Sequence, residues 1–140
     1  MDPKLEETTH TLRKAGFDTE LITPPDQAHF GNWVLVATRP PFALRAINDR
    51  GVVLLDLMDW DTFKAGANES DWFNWDVVAR AIGSQEENGA DQLWSFLRNF
   101  RAVEIAFLRS NWAVTRELLY KIEAEKRRKF MEGRRMPLHA

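Results

Sequence analysis

Six carboxylates, Asp56, Asp59, Asp61, Glu69, Asp71 and Asp76, fall within a short stretch near the middle of the chain, interleaved with Trp60, Trp72, Phe73 and Trp75. Carboxylates placed close together can hold a divalent cation or divide acid and base roles, because mutual repulsion raises one pKa and leaves the other group charged. The Asp59-Trp60-Asp61 stretch lacks the glycine-centred twelve-residue calcium loop and its terminal Glu. A solvated loop with helix-capping acids accounts for part of the run. The aromatic residues add a second chemistry: the chain has 6 Trp, and Trp is enriched at the buried centres of protein interfaces. An acidic rim of Asp59, Asp61, Glu69 and Asp71 around Trp60 and Trp72 is what a binder of a basic protein surface needs.

Other reactive side chains form no recognisable set. His10, His29 and His139 share no ligand spacing, so no metal site is expected. Ser70, Ser84, Ser95 and Ser110 lack a nucleophile elbow, and the chain has no Cys, which removes disulfides, thiolate nucleophiles and Cys-ligated zinc. No catalytic residue and no cofactor is expected; a small enzyme using the acidic loop is the third option.

A basic run closes the chain: Lys126, Arg127, Arg128 and Lys129, then Arg134 and Arg135. With Arg116 and Lys121 it offers an alternative, a nucleic-acid-binding regulator that releases counterions from phosphates. Glu117/Lys121, Glu123/Arg127 and Glu125/Lys129 stand at i, i+4 in the favourable order, so a self-neutralising exposed helix explains much of the run. On a larger scale, residues 1–90 carry 8 Lys and Arg against 15 Asp and Glu, and residues 91–140 carry 11 against 6, so balances of −7 and +5 sit in one chain. Fields of this kind steer partners.

These groups need a scaffold, and 140 residues suit one domain spanning 1–140. The N-terminus lacks the basic and apolar regions of a signal peptide, and no apolar run reaches the roughly 18 residues that span a bilayer. A cytoplasmic protein without a membrane partner is expected. Asp2 and Pro3 read as a helix start, with the helix running to about Ala15 and stopping at Gly16. Residues 17–22 suggest a short strand before the turn-forming Thr23-Pro24-Pro25-Asp26. Stronger strand patterns cover 32–39, 42–48 and 52–58, and Asn48-Asp49-Arg50-Gly51 supplies a tight turn.

Asp59 to Asp71 reads as a loop. Ser70 or Asp71 then caps a helix carrying Trp72, Trp75, Val78, Ala79 and Ile82 to Gly83, and a second loop follows from Ser84 to Gly89. From Asp91 the spacing is helical, with Leu93, Leu97, Phe100, Val103 and Phe107 as one stripe. Ser110 or Asn111 caps a final helix, unless one kinked helix spans 91–132; residues 133–140 should fray. The order gives an α+β fold: an N-terminal helix, an antiparallel meander of three or four strands, then two or three C-terminal helices on one sheet face.

The opening Leu12-Arg13-Lys14-Ala15-Gly16-Phe17, then Trp33-Val34-Leu35-Val36-Ala37 and the hairpin before Gly51, resembles small bacterial α+β proteins in layout. Among them it is similar to the immunity proteins that accompany polymorphic or contact-dependent toxins, and more distantly to secretion chaperones, over mainly the first 58 residues. The helical C-terminal part departs from the chaperone pattern. The resemblance implies a non-enzymatic protein-binding inhibitor that neutralises a toxin or effector by occlusion; it carries over no functional residue.

Overall fold

The computed structural model describes residues 2–84 and 91–135. Its frame is a five-stranded antiparallel sheet in the order β1-β2-β3-β4-β5, formed by Asp18–Asp26, Asn32–Arg39, Phe42–Asp49, Val52–Asp59 and Phe73–Asn74. Five strands exceed the expected three or four because Phe73–Asn74, read as helical, pairs with Leu57 and Asp56. The first strand also runs further than residue 22. Thr23-Pro24-Pro25-Asp26 stays extended as part of β1, with register shifts after Leu21 and Thr23 in place of a turn.

Tight connections fix the register. Asp49 pairs with Val52, leaving Arg50 (φ +52°) and Gly51 (φ +90°) as the two turn residues. Positive φ at both central positions matches the right-handed twist of the flanking strands. Pro40 and Pro41 join β2 to β3, and the peptide bond between them is cis.

Strand alternation separates two faces. Trp33, Leu35, Ala37, Phe42, Leu44, Ala46, Leu55 and Leu57 face the core and are almost wholly buried. Helix α1 (Pro3–Lys14) closes one end of that face with Leu5, Thr8 and Leu12; the Asp2 carboxylate accepts hydrogen bonds from the Lys4 and Leu5 amides at its start. Helices α4 (Gln92–Arg98) and α5 (Phe100–Phe107) bring Phe96, Phe100 and Phe107 to within 5.6–5.9 Å, ring to ring, of Phe42. Phe17 packs on the same ring at 5.8 Å. Tilted and edge-on rings at these separations add to what area burial alone contributes.

The helical part is cut more finely than the apolar stripe suggests. Asn99 ends α4: its amide side chain donates to the Ser95 carbonyl at 2.8 Å, the local bond by which Asn competes with helix continuation. A second break falls at Leu108, which is extended, and α6 (Arg109–Arg135) begins one residue later. Asn111 does not cap α6. Its side chain donates back to the Ile105 carbonyl at 2.8 Å, and Thr115 Oγ1 donates to the Ala106 carbonyl at 2.7 Å, so both satisfy the end of α5.

Helix α6 is 27 residues, about 40 Å at 1.5 Å per residue. Its first half docks through Trp112, stacked 4.9 Å from Phe107, the fully buried Leu119, and Tyr120, 5.3 Å from Phe73. Residues 127–133 are exposed. The helix continues through Gly133 to Arg135, and the rest of the expected frayed end lies outside the described residues, as does the expected loop beyond Ser84. Among the described residues no helix is long and apolar enough to cross a membrane.

Candidate functional site

The outer sheet face, opposite the main core, is partly roofed by the segment expected to be a loop. Residues Trp60–Lys64 form α2, and Glu69–Asp71 form a single 3-10 turn. Ala43 and Met58 point outward from the sheet yet are fully buried beneath this roof. Trp60 stacks on Phe63 with centroids 6.0 Å apart, and Phe63 meets the edge of Trp72 at 6.3 Å. All three rings remain partly exposed. The C-terminal helices lie on the core face of the sheet, as the sequence order suggested, and α2, in the segment expected to be a loop, covers the other face.

Trp72 and Trp75 do not share a helix face. Asn74 sits between them and caps α3 (Trp75–Ala81) by accepting from the Asp76 amide at 3.1 Å, so Trp72 precedes the helix. Trp75 turns into the core, where its Nε1 donates to Ser95 Oγ at 2.9 Å and its ring meets Phe96. Trp72 stays on the outer face beneath the Arg45 guanidinium, 4.8 Å from the ring centroid.

Arg45 organises this face. Its Nε and Nη2 donate to Asp56 Oδ2 at 3.1 and 2.7 Å, and its Nη1 donates to Glu69 Oε2 at 2.7 Å. Burial opposes the guanidinium charge, but the hydrogen bonds to Glu69 and Asp56 outweigh it and raise the Arg45 pKa. The Arg45 hydrogen bond in turn holds the Glu69 carboxyl below the usual carboxylate range.

The remaining expected acids have separate roles. Asp59 is 7% exposed and accepts from the Thr62 amide at 3.2 Å, so it caps α2 and cannot belong to a solvent-facing rim. Asp61 lies in the first turn of α2 and takes two hydrogen bonds from Arg109, at 2.8 and 3.0 Å. That exposed pair holds the Arg109 charge more firmly than usual, chiefly through the hydrogen bond. Asp71 accepts from the Asn68 amide at 2.9 Å and closes the 3-10 turn. The rim is thus largely bound within the molecule.

Acidity is restored from a place the sequence reading passed over. Asp18 and Glu20 project from β1 onto the same outer face, opposite Thr38 and Val36, and both are exposed. With Thr19, Val36, Thr38, Trp60, Phe63 and Lys64 they line a groove of about 320 Å³. Strand alternation placed Asp18 and Glu20 on one face, but nothing local in the sequence showed that α2 would fold over that face. Arg45 was more legible: a cation in an alternating strand, directly across from Asp56, is a recognisable cross-strand pair.

The alternative basic surface is partly neutralised. Lys126 Nζ donates to Asp76 Oδ2 at 2.6 Å, Arg128 pairs with Glu132 at 3.1 Å, and Lys129 lies 3.8 Å from Glu125. Arg127, Arg116 and Lys121 are exposed, while the side chains of Arg134 and Arg135 lie outside the described residues. Among the described residues no group of three or more His, Asp or Glu is placed to hold a metal ion.

Fold and site together define an α+β domain whose second sheet face presents an aromatic cluster bordered by carboxylates. Comparison with known proteins finds no matching family, no matching curated protein and no matching solved structure.

Proposed function

We propose that this protein acts by binding another protein, as a non-enzymatic inhibitor of the immunity type that occludes a partner with a basic surface. The observation that carries the reading is the Trp60–Phe63–Trp72 cluster, held partly exposed on the outer sheet face by α2 and the 3-10 turn. Aromatic anchors of this kind, beside an Arg and ringed by charge, match the composition of interface centres. Asp18, Glu20, Asp61, Glu69 and Asp71 outnumber Lys64 and Arg109 around them, and Arg45 with Asp56 is neutral, so the face keeps a negative balance that speeds capture of a cationic partner.

The test is affinity capture from the source cell with the full chain as bait, followed by titration of the purified partner. Trp72→Ala should weaken binding by about thirtyfold or more, the loss expected for a hot-spot ring, while melting near the parent temperature. A partner whose activity falls on addition of the parent protein, and not of Trp72→Ala, supports the reading. Salt-sensitive retardation of DNA or RNA that is lost in an Arg127→Ala, Arg128→Ala and Lys129→Ala variant, with no protein captured, replaces it by the nucleic-acid reading.

A further inference from the structure

The two edges of the sheet are finished differently. At the β4 side, β5 covers only Asp56 and Leu57, and side chains continue the edge: Gln92 Oε1 accepts from the Leu55 amide at 2.8 Å, and Asn74 Nδ2 donates to the Leu55 carbonyl at 3.2 Å. Helices α3 and α4 pack against the same strand. At the β1 side, no strand among the described residues lies beyond Asp18–Asp26. Pro24, Pro25 and the register shifts after Leu21 and Thr23 spoil pairing along the second half of β1, leaving 18–21 as the regular stretch able to pair. Leu21 at its end and the adjoining Ile22 are 42% and 53% exposed.

That open stretch is flanked by a groove on each face. On the core side, between α1 and β1, Leu5, Leu21 and Leu35 floor a groove of about 480 Å³. On the outer side lies the groove of Asp18, Glu20, Trp60 and Phe63. A strand added to the edge sends successive side chains to opposite faces, so alternate residues enter the two grooves in turn. The outer groove keeps a negative balance that suits cations, since two exposed carboxylates line it against the one ammonium of Lys64, which lies 5.5 Å over the Trp60 ring. The inner groove has a leucine floor that suits an apolar side chain, while Glu6, Thr9, His10, Arg13 and Thr19 line the rest of it.

We propose that the outer edge of β1 over residues 18–21 accepts an extended segment of a partner protein as a sixth strand, with alternating basic and apolar side chains. This rests on the protein-binding reading above and assigns the contact and the partner chemistry. A second copy of the chain fits poorly: in the register that continues both faces, two β1 strands bring Asp18 and Glu20 of one beside those of the other, and facing like charges destabilise strand pairing.

The experiment uses the full chain and three synthetic peptides: one alternating Lys and Val, one with the same residues in two blocks, and one alternating Glu and Val. The alternating Lys-Val peptide should slow amide exchange within residues 18–21 by about tenfold or more at saturation, and the other two should not. Methylating its amides at alternate positions should abolish protection in one of the two patterns and spare it in the other, because only every second amide faces the edge. The double variant D18K/E20K, checked by melting, should transfer the preference to the Glu-Val peptide. Equal responses to the alternating and block peptides, or an unchanged preference in D18K/E20K, overturn the proposal. So does a captured partner whose binding is lost in Trp72→Ala yet intact in D18K/E20K, and that outcome leaves the protein-binding reading standing.

Discussion

The Arg45 guanidinium lies over Trp72, 4.8 Å from its ring centroid, while two of its nitrogens hold Asp56. One side chain in the third strand thereby fixes the 3-10 turn that follows α2 and the orientation of the ring that turn presents. The arrangement depends on strand register, since Arg45 and Asp56 are direct cross-strand partners.

Burial decides which of the Arg45 contacts matters. The Arg45 and Asp56 side chains are 15% and 14% exposed, whereas Glu69 is 79% exposed. Arg45→Ala leaves Asp56 half-buried without its cation and should cost about 1.5–3 kcal/mol, the range for hydrogen bonds to charged groups. Glu69→Ala removes a solvated pair and should cost less than about 1 kcal/mol. Denaturant melts of the two variants check this; equal losses would mean that Glu69 carries the turn.

Asp59 belongs to stability and not to partner capture. Its carboxylate caps α2 from a nearly buried position, and Asp59→Ala should cost about 0.5–2 kcal/mol, as losing an N-cap does. Asp61→Ala, which frees an exposed pair with Arg109, should change stability by less than about 1 kcal/mol. Thermal melts separate the two, and a parent-like Asp59→Ala would return that residue to the candidate rim.

The central meander was legible because alternation and turn chemistry agreed. Val-Leu-Val in β2, the Phe42–Asp49 alternation and the Arg50-Gly51 turn each pointed to the same pairing, and Leu35 and Leu44 are 2% and 0% exposed as that register requires. Leu44→Ala should accordingly cost about 2–5 kcal/mol through lost transfer energy and the cavity left behind. Val114, on α6 and 75% exposed, should tolerate the same change within about 0.5 kcal/mol. A Leu44→Ala protein with a parent-like denaturation midpoint would contradict the register.

The acidic segment was less legible, for a physical reason. Its residues satisfy helix and turn signals equally: Asp59, Ser70, Asp71 and Asn74 are all competent caps, and only tertiary contacts choose among them. Asp59 caps α2 and Asn74 caps α3 because Trp60 and Phe63 find a half-covered sheet face while Trp75 finds Ser95 and Phe96. Similarly, the apolar stripe from Leu93 to Phe107 is continuous in sequence, and the turn at Asn99 carries a side-chain bond to the Ser95 carbonyl that the stripe does not signal. The edge position of β1 among the described strands had no signal beyond Pro24-Pro25, since it follows from the order of all five.

Glu123 provides a pH-dependent test of how α6 docks on α3. Burial raises its pKa, and the charge of Asp76 adds to the rise, against the opposing pull of Arg127 and Lys126. An acid whose pKa is higher in the folded state binds its proton more tightly there. Its stabilising contribution is complete below the unfolded value of about 4.3 and is lost as pH rises through the folded value. At neutral pH the ionised Glu123 is therefore a cost to the folded state, imposed by the same packing that places Lys126 Nζ 2.6 Å from Asp76. Glu123→Gln keeps the shape and removes the charge, so its melting temperature should exceed the parent's at neutral pH, and the difference should close below about pH 4. If Lys126 and Arg127 instead hold the carboxylate in a net favourable pair, the substitution lowers the neutral-pH melting temperature, and the sign of that single difference decides between the two electrostatic accounts of the α3–α6 contact.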